Sequence, residues 1–75
     1  MSVVLHREKN RYGAVLAANV VSKVFPSECR IISINTEDDW FNIWIEVDNT
    51  FDEEVVITRI RKEREKSRIA GLRSG

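Results

Sequence analysis

The alternation of apolar and polar residues over residues 40–48 is the clearest pattern in this chain of 75 residues. With the two-residue period of a strand, it places one set of side chains on a uniformly apolar face and a second set on the opposite face. The apolar set is Phe41, Ile43, Ile45 and Val47. The opposite set is Trp40, Asn42, Trp44, Glu46 and Asp48. The pattern predicts a strand with one core face and a second face that carries both tryptophans of the chain.

Residues 8–25 are predicted to form the main helix, because apolar or small residues recur there at the i, i+3, i+4, i+7 spacing of a buried stripe. Pro26 ends the helix, since the residue before a proline is disfavoured in the α region. Gly13 lowers helix stability by about 1 kcal/mol relative to alanine, which also fits a later start near residues 10–12. Residues 3–5 fit either an added helical turn or a short edge strand.

A hairpin is predicted after this helix. Residues 29–35 are rich in β-branched side chains and follow a helix breaker, which is typical of a strand. Residues 36–39 form a polar connection of four residues, long enough for a hairpin turn. The strands 29–35 and 40–48 are therefore expected to pair antiparallel.

Residues 52–68 fit two structures. Their β-branched density favours a strand over residues 53–61, followed by a charged helical turn or tail. Thr50 and Glu53 match a helix capping box, and the change from acidic to basic residues along the segment suits a helix dipole. The strand is preferred, because residues 61–68 would give such a helix no apolar side chain with which to pack.

The predicted fold class is α+β, with one N-terminal helix packed on a small antiparallel sheet. The preferred order is α-β-β-β with a charged C-terminal tail or short helix, and the alternative order is α-β-β-α. Residues 1–60 are assigned to a single domain and residues 61–75 to a charged, partly helical or flexible tail. In both orders, the first helix leaves the tryptophan face of strand 40–48 uncovered.

Composition points to a small intracellular domain that gains stability from a second subunit. A chain of this length buries only about 60% of its unfolded surface, so its core usually needs a supplement. Cys29 is the single cysteine, which excludes an intrachain disulfide, and no Cys/His set indicates zinc. The N-terminus lacks a signal-peptide pattern, and no apolar run approaches the roughly 20 residues of a membrane span. We therefore expect a cytoplasmic protein without membrane contact.

Residues with catalytic or metal-binding potential are few. His6 has no acidic partner recognisable in the sequence, so a solvated role is expected. Cys29 lacks an activating base, so a buried core role is expected. The acidic residues 37–39 lack the spacing and the glycine of a calcium loop. The sequence therefore predicts no enzyme, and no catalytic residue, metal, cofactor or small-molecule substrate.

Charge is segregated along the chain although the net charge is zero. Residues 31–58 hold eight acidic and no basic residues, whereas residues 59–75 hold seven basic and two acidic ones. A basic segment can neutralise the phosphates of a nucleic acid. The interrupting acids and the lack of an interleaved aromatic residue favour instead a solvated tail with internal Arg/Glu pairs. The candidate phosphate-binding residues are Arg59, Arg61, Lys62, Arg64, Lys66 and Arg68.

The tryptophan face is the candidate binding surface, and three covers are possible for it. A C-terminal helix could fold back over the sheet, the same face of a second copy could pack on it, or a different macromolecule could dock there. A helical segment 52–68 predicts tryptophans buried within the chain, and a strand there predicts tryptophans that need a partner. Glu46 and Asp48 on this face disfavour nucleic acid, because they repel phosphates.

The functional prediction is a small, non-catalytic, homodimeric protein-binding domain with a role such as that of a cytosolic adaptor, inhibitor or phage-type accessory protein. The alternative is a nucleic-acid-associated protein that binds phosphates through residues 59–68. The predicted partner or dimer interface consists of Trp40, Asn42, Trp44 and Glu46.

Overall fold

The computed structural model describes the backbone of residues 2–74 and the side chains of residues 2–67. Its elements, in chain order, are β1 (Ser2–Glu8), α1 (Arg11–Val24), β2 (Cys29–Glu37), β3 (Trp40–Val47) and α2 (Glu53–Ser74). The fold is α+β, as predicted, and its sheet is antiparallel. The element order is β-α-β-β-α, so both predicted orders were wrong in omitting a strand before the first helix.

The three strands lie in the order β1-β3-β2, and both outer strands are antiparallel to β3. The two outer strands are therefore parallel to each other, and α1 is the crossover between them. This is the arrangement of the first five elements of the β-α-β-β-α-β motif. Because such motifs serve many functions, the fold alone does not identify an activity.

The two helices pack on one side of the sheet. We call this side the helix face and the opposite side the open face. Ile43 and Ile45 of β3 are fully buried on the helix face, as their alternation predicted. Val56 and Ile60 of α2 and Ala17 of α1 belong to the same core. The remaining buried core residues are Ala14, Val20, Val21, Phe25, Cys29 and Val47.

The first helix begins at Arg11, which agrees with the later start considered near residues 10–12 and not with a start at residue 8. Asn10 caps the helix, since its side-chain Oδ1 accepts a hydrogen bond of 2.7 Å from the backbone N–H of Gly13. Residues 2–8 instead alternate along β1, with Val4 packed against the core and Val3 and Leu5 exposed. The short edge strand considered for residues 3–5 is therefore correct, although β1 is longer.

Residues 53–74 form a helix, so the preferred strand over residues 53–61 was wrong. Asp52 satisfies the start of α2 by accepting a hydrogen bond of 3.0 Å from the backbone N–H of Glu54. Beyond Ile60, two polar contacts hold α2 among the described side chains: Arg64 pairs with Glu8, and Ser67 hydrogen-bonds Tyr12. A helix can therefore pack here without the apolar side chains whose absence favoured the strand. The predicted domain boundary at residue 60 lies within this helix.

The β2–β3 turn has two residues, Asp38 and Asp39, with φ of 52° and 67°. Positive φ at both central positions is the geometry of a type I′ hairpin turn, whose twist matches that of the flanking strands. The turn is shorter than the predicted connection, so β2 extends to Glu37. Asp tolerates the left-handed region better than most residues, but at a cost that Asn-Gly avoids.

Replacing the turn residues by Asp38→Asn with Asp39→Gly is expected to stabilise the fold by about 1 kcal/mol, since glycine relieves the left-handed strain. In a domain of this size this corresponds to a rise of about 4–8 °C in the midpoint of thermal unfolding. The single Asp38→Asn variant controls for the loss of charge. An unchanged or lower midpoint in the double variant would contradict the type I′ assignment.

Candidate functional site

The open face brings together side chains from all three strands, because directly opposed residues of an antiparallel pair lie on the same side. The strand register places them in four rows across the sheet. From one end to the other, its residues are Glu37 and Trp40; Arg7, Asn42 and Asn35; Leu5, Trp44 and Ser33; and Val3, Glu46 and Arg30. All four predicted interface residues are therefore neighbours on one surface.

The Arg7–Asn42–Asn35 row forms a hydrogen-bonded ladder. Arg7 Nε donates to Asn42 Oδ1 at 3.0 Å, and Asn42 Nδ2 donates to Asn35 Oδ1 at 3.2 Å. Asn42 is only 6% exposed, so its amide is buried beneath its neighbours with both ends satisfied. Its role is to fix the orientation of Arg7, and its own accessible area is small.

Trp40 lies beside two cations at one end of the open face. The guanidinium carbon of Arg7 is 4.8 Å from the centre of the Trp40 ring, and Lys9 Nζ is 5.3 Å from it. Both distances are within the range of cation–π attraction. The contacts hold the indole in place and concentrate positive charge at its edge.

Trp44 lies at the centre of an apolar patch toward the other end. Its cross-strand neighbour Leu5 is 41% exposed, and Val3, one row further along β1, is 53% exposed. Glu46 next to Val3 is paired with Arg30 at 3.0 Å, which neutralises the acid on this face. The Trp40 end of the open face thus carries Arg7 and Lys9 on the β1 side and Glu37 on the β2 side, whereas the Trp44 end is apolar on the β1 side.

The sequence did not identify the contribution of β1 to this surface. Val3, Leu5 and Arg7 alternate toward the open face, but only residues 3–5 were considered for a strand, and they matched a helical turn equally well. The period of two in residues 3–7 was the available signal. Lys9 follows the strand and reaches Trp40 from its end.

The second helix leaves both tryptophans uncovered, which contradicts the expectation that a helical segment 52–68 would bury them. Val56 and Ile60 direct α2 toward α1 and the helix face. Trp40 and Trp44 remain half-buried. Among the described side chains, those placed beside them belong to the neighbouring strands and to Lys9. The open face is therefore accessible to another molecule.

The basic segment of α2 lies on the opposite layer of the fold. Arg59 pairs with Glu63 at 3.0 Å, and Lys66 lies 3.9 Å from the same carboxylate. Arg61 and Lys62 are exposed. The side chain of Arg68, also a predicted phosphate ligand, is outside the described residues. The remaining candidate, Arg64, is paired with Glu8 of β1.

A cluster of His6, Glu8 and Arg64 connects β1 to α2, and the 11% exposure of the His6 side chain shows that the expectation of a solvated His6 was wrong. His6 and Glu8 alternate onto the helix face, and His6 Nε2 lies 2.5 Å from Glu8 Oε2. The Glu8 side chain is 1% exposed, and its other oxygen lies 3.3 Å from Arg64 Nη1. Two residues of one strand share a face, so the pair was detectable once β1 was recognised. The cluster ties the C-terminal helix to the sheet.

Cys29 is buried at the start of β2, as predicted. Burial raises the pKa of the Cys29 thiol, and the negative charge of Glu28 raises it further. The thiol is therefore protonated at neutral pH and has low nucleophilicity. Because the pKa is higher in the folded state, the resulting stabilisation is present below the unfolded pKa and is lost as the pH rises through the folded one.

No helix in the described part of the chain has the length and apolar character needed to cross a membrane. Within the same residues, no group of three or more His, Cys, Asp and Glu side chains is placed to hold a metal ion. Comparison with protein-family models, with curated proteins and with solved structures found no match.

Proposed function

We propose that this chain is a small, non-catalytic protein-binding domain that works as a homodimer and binds its partner on the open face. The observation that carries the proposal is the position of Trp40 and Trp44 on the one sheet face that neither helix covers. Tryptophan is strongly enriched among residues that dominate binding energy. Two of them on a single solvent-facing surface are difficult to explain by the stability of the monomer.

The chemistry of the face indicates the kind of segment it would bind. Arg7 and Lys9 at the Trp40 end favour an acidic side chain of the partner, which would also contact the indole edge. Val3, Leu5 and Trp44 favour apolar or aromatic anchors a few residues away. We therefore expect a partner segment with an acidic group at one end and apolar groups at the other.

The face is suited to recognition because its side chains are held in place before binding. The Arg7–Asn42–Asn35 ladder and the Arg30–Glu46 pair fix polar groups on both sides of Trp44. Preorganised side chains on strands lose little conformational freedom on association. Arg7 and Lys9 lie against Trp40, so they are placed to contact an acidic group of a bound segment.

Selection from a random peptide library displayed on phage tests this proposal. We expect enrichment of peptides that combine acidic and apolar residues, with dissociation constants that rise at least about tenfold in the Trp40→Ala/Trp44→Ala variant, since hot-spot truncation costs about 2 kcal/mol or more. The two tryptophans are the only ones in the chain, so peptide binding should also shift the intrinsic fluorescence.

The matched control is an Arg61→Ala/Lys62→Ala variant, which changes exposed residues of α2 on the opposite layer. It should bind the selected peptides like the wild type. Circular dichroism of the tryptophan variant verifies that it is folded. Failure to enrich any peptide that distinguishes the wild type from the folded tryptophan variant would refute binding at the open face.

A second candidate function is binding of single-stranded nucleic acid, because Trp40 is an aromatic platform flanked by Arg7 and Lys9. Bases stack on aromatic side chains while nearby cations contact the phosphates. The Arg30–Glu46 pair removes much of the repulsion that Glu46 would otherwise exert. This version places the nucleic acid on the open face rather than on α2.

Titration with fluorescently labelled single-stranded oligonucleotides, followed by the anisotropy of the label, detects binding through either surface and separates the two routes. Binding on the open face should weaken steeply with salt and be lost in Arg7→Ala/Lys9→Ala. Binding through α2 should survive that change and be lost in Arg61→Ala/Lys62→Ala. Absence of binding at low salt would remove both nucleic-acid routes.

A further inference from the structure

The outer edge of β2 is a second surface on which a binding partner is expected. β2 is the longest strand, and among the described residues its outer edge pairs with no other strand. Residues 31–36 contain no charge, proline or glycine. Ile32 and Ile34 are 45% and 49% exposed. Folded proteins usually protect so apolar an edge, because its free backbone groups recruit other strands.

We infer that the β2 edge pairs antiparallel with β2 of a second copy of this chain, about a two-fold axis at Ile34. The inference names an interface for the homodimer of the proposed function, and its consequence for partner binding rests on the open-face site of that function. Two three-stranded sheets joined in this way form one sheet of six strands. The observation that identifies a second copy as the occupant is a self-complementary distribution of charge along the edge.

The register follows from the side of the sheet to which each residue of β2 belongs. Opposition to β3 places Ser33, Asn35 and Glu37 on the open face and Ile34 and Thr36 on the helix face. With Ile34 facing its own copy, Ser33 lies opposite Asn35 of the partner, and the two share a face, as an antiparallel pair requires.

Further from Ile34, a β-bulge between Ile31 and Ser33 determines which residues of the two copies lie opposite each other. A bulge gives two residues of one strand a single opposing position. Counted in this way, Arg30 falls opposite Glu37 of the partner, and both lie on the open face. The two-fold axis repeats the pair, so two opposite-charge contacts frame the apolar middle of the interface.

The neighbouring register is less favourable. An axis at Ser33 would place Glu37 opposite Glu28 of the partner, where like charges repel. The axis at Ile34 also brings the two exposed Ile34 side chains together on the helix face, where each removes apolar surface from water. Charge and apolar burial thus select the same register.

The dimer would keep both open faces accessible. Pairing along the edge leaves the sheet surface uncovered and places the two open faces side by side on one continuous sheet. A partner with two binding segments could then engage both copies, which raises the apparent affinity without any new contact. This geometry makes the proposed homodimer and the proposed partner site compatible.

Sedimentation velocity over a concentration series tests the inference on the full chain. The wild type is expected to form a dimer that dissociates on dilution. Ile34→Lys should raise its dissociation constant by at least about tenfold, because a lysine at the axis faces its own copy in an apolar edge. Val15→Lys, at a residue of α1 that is 51% exposed, is the matched control and should leave the dimer unchanged.

A charge exchange tests the register itself. Arg30→Glu and Glu37→Arg should each weaken self-association, because each leaves like charges opposite one another. An equimolar mixture of the two variants should recover a heterodimer, since every pair across its axis then has opposite charges. Because Arg30→Glu also removes the Arg30–Glu46 pair within its own chain, circular dichroism verifies that each variant is folded before the two are mixed.

Three results would overturn the inference. They are a wild type that is monomeric at every concentration, a dimer that Ile34→Lys leaves intact, and a dimer that Trp40→Ala/Trp44→Ala abolishes. The last result would indicate that two copies pack through their open faces. Peptide binding to the open face is measured separately, so loss of the edge dimer and loss of the partner site are distinguishable.

Discussion

Replacing Ile60 with alanine is expected to lower the free energy of unfolding by about 2–5 kcal/mol, the range for truncation of a fully buried isoleucine. Ile60 is 0% exposed and lies with Val56 against the core beneath β3. Small domains have only about 5–15 kcal/mol of stability in total, so this loss is a large fraction. Urea denaturation followed by far-ultraviolet circular dichroism measures it.

Val55→Ala on the same helix is the matched control, because Val55 is 46% exposed and its truncation should change stability by less than about 0.5 kcal/mol. The contrast between Val55 and Ile60 tests whether α2 packs on the domain as a helix. Equal and small effects at both positions would mean that residues 53–74 behave as a detached segment, as the predicted tail would.

The sequence predicted those parts of the fold in which the apolar residues follow the spacing of either a strand or a helix, but not both. Phe41, Ile43, Ile45 and Val47 alternate without exception, and the strand, its faces and its hairpin partner followed from them. The stripe of α1 was equally clear. Periodicity alone left its start open between residue 8 and residues 10–12, because the cap made by Asn10 is a local polar interaction that periodicity does not report.

The two errors of element type have a common physical cause. β1 and α2 are both held in part by the cluster of His6, Glu8 and Arg64. In this cluster Glu8 contacts Arg64, which lies 56 positions further along the sequence. Such a contact leaves no periodic signal. Residues 61–67 therefore resembled a solvated tail, and Glu8 resembled the start of a helix rather than the buried end of a strand.

The candidate site was only partly predictable for the same reason. Trp40 and Trp44 were identified from β3 alone, whereas Leu5 and Arg7 became neighbours only when β1 was placed beside β3. A helical prediction for residues 52–68 would not have said on which side of the sheet the helix packs, since a helix can cover either side. Val56 and Ile60 decide that it covers the side already occupied by α1.

Gly13→Ala is expected to destabilise the protein by about 1–3 kcal/mol, although the same change in an exposed helix interior stabilises by about 1 kcal/mol. A Cβ at this position would lie 2.5 Å from Glu8 Oε1 and 3.1 Å from Glu8 Cδ. Glu8 is 1% exposed and held by His6 and Arg64, so it cannot move aside without breaking those contacts. The glycine is therefore required by the close approach of β1 to α1.

A double-mutant cycle separates this steric cause from any other. In a Glu8→Ala background the carboxylate is absent, so Gly13→Ala should become stabilising, and the coupling free energy should reach about 1–3 kcal/mol. In a Glu8→Gln background the side chain keeps its size, and Gly13→Ala should remain destabilising. Chemical denaturation of the six proteins gives all the required values. If Gly13→Ala stabilised the wild-type and Glu8→Gln backgrounds alike, Glu8 could not be packed against α1 as the cluster requires.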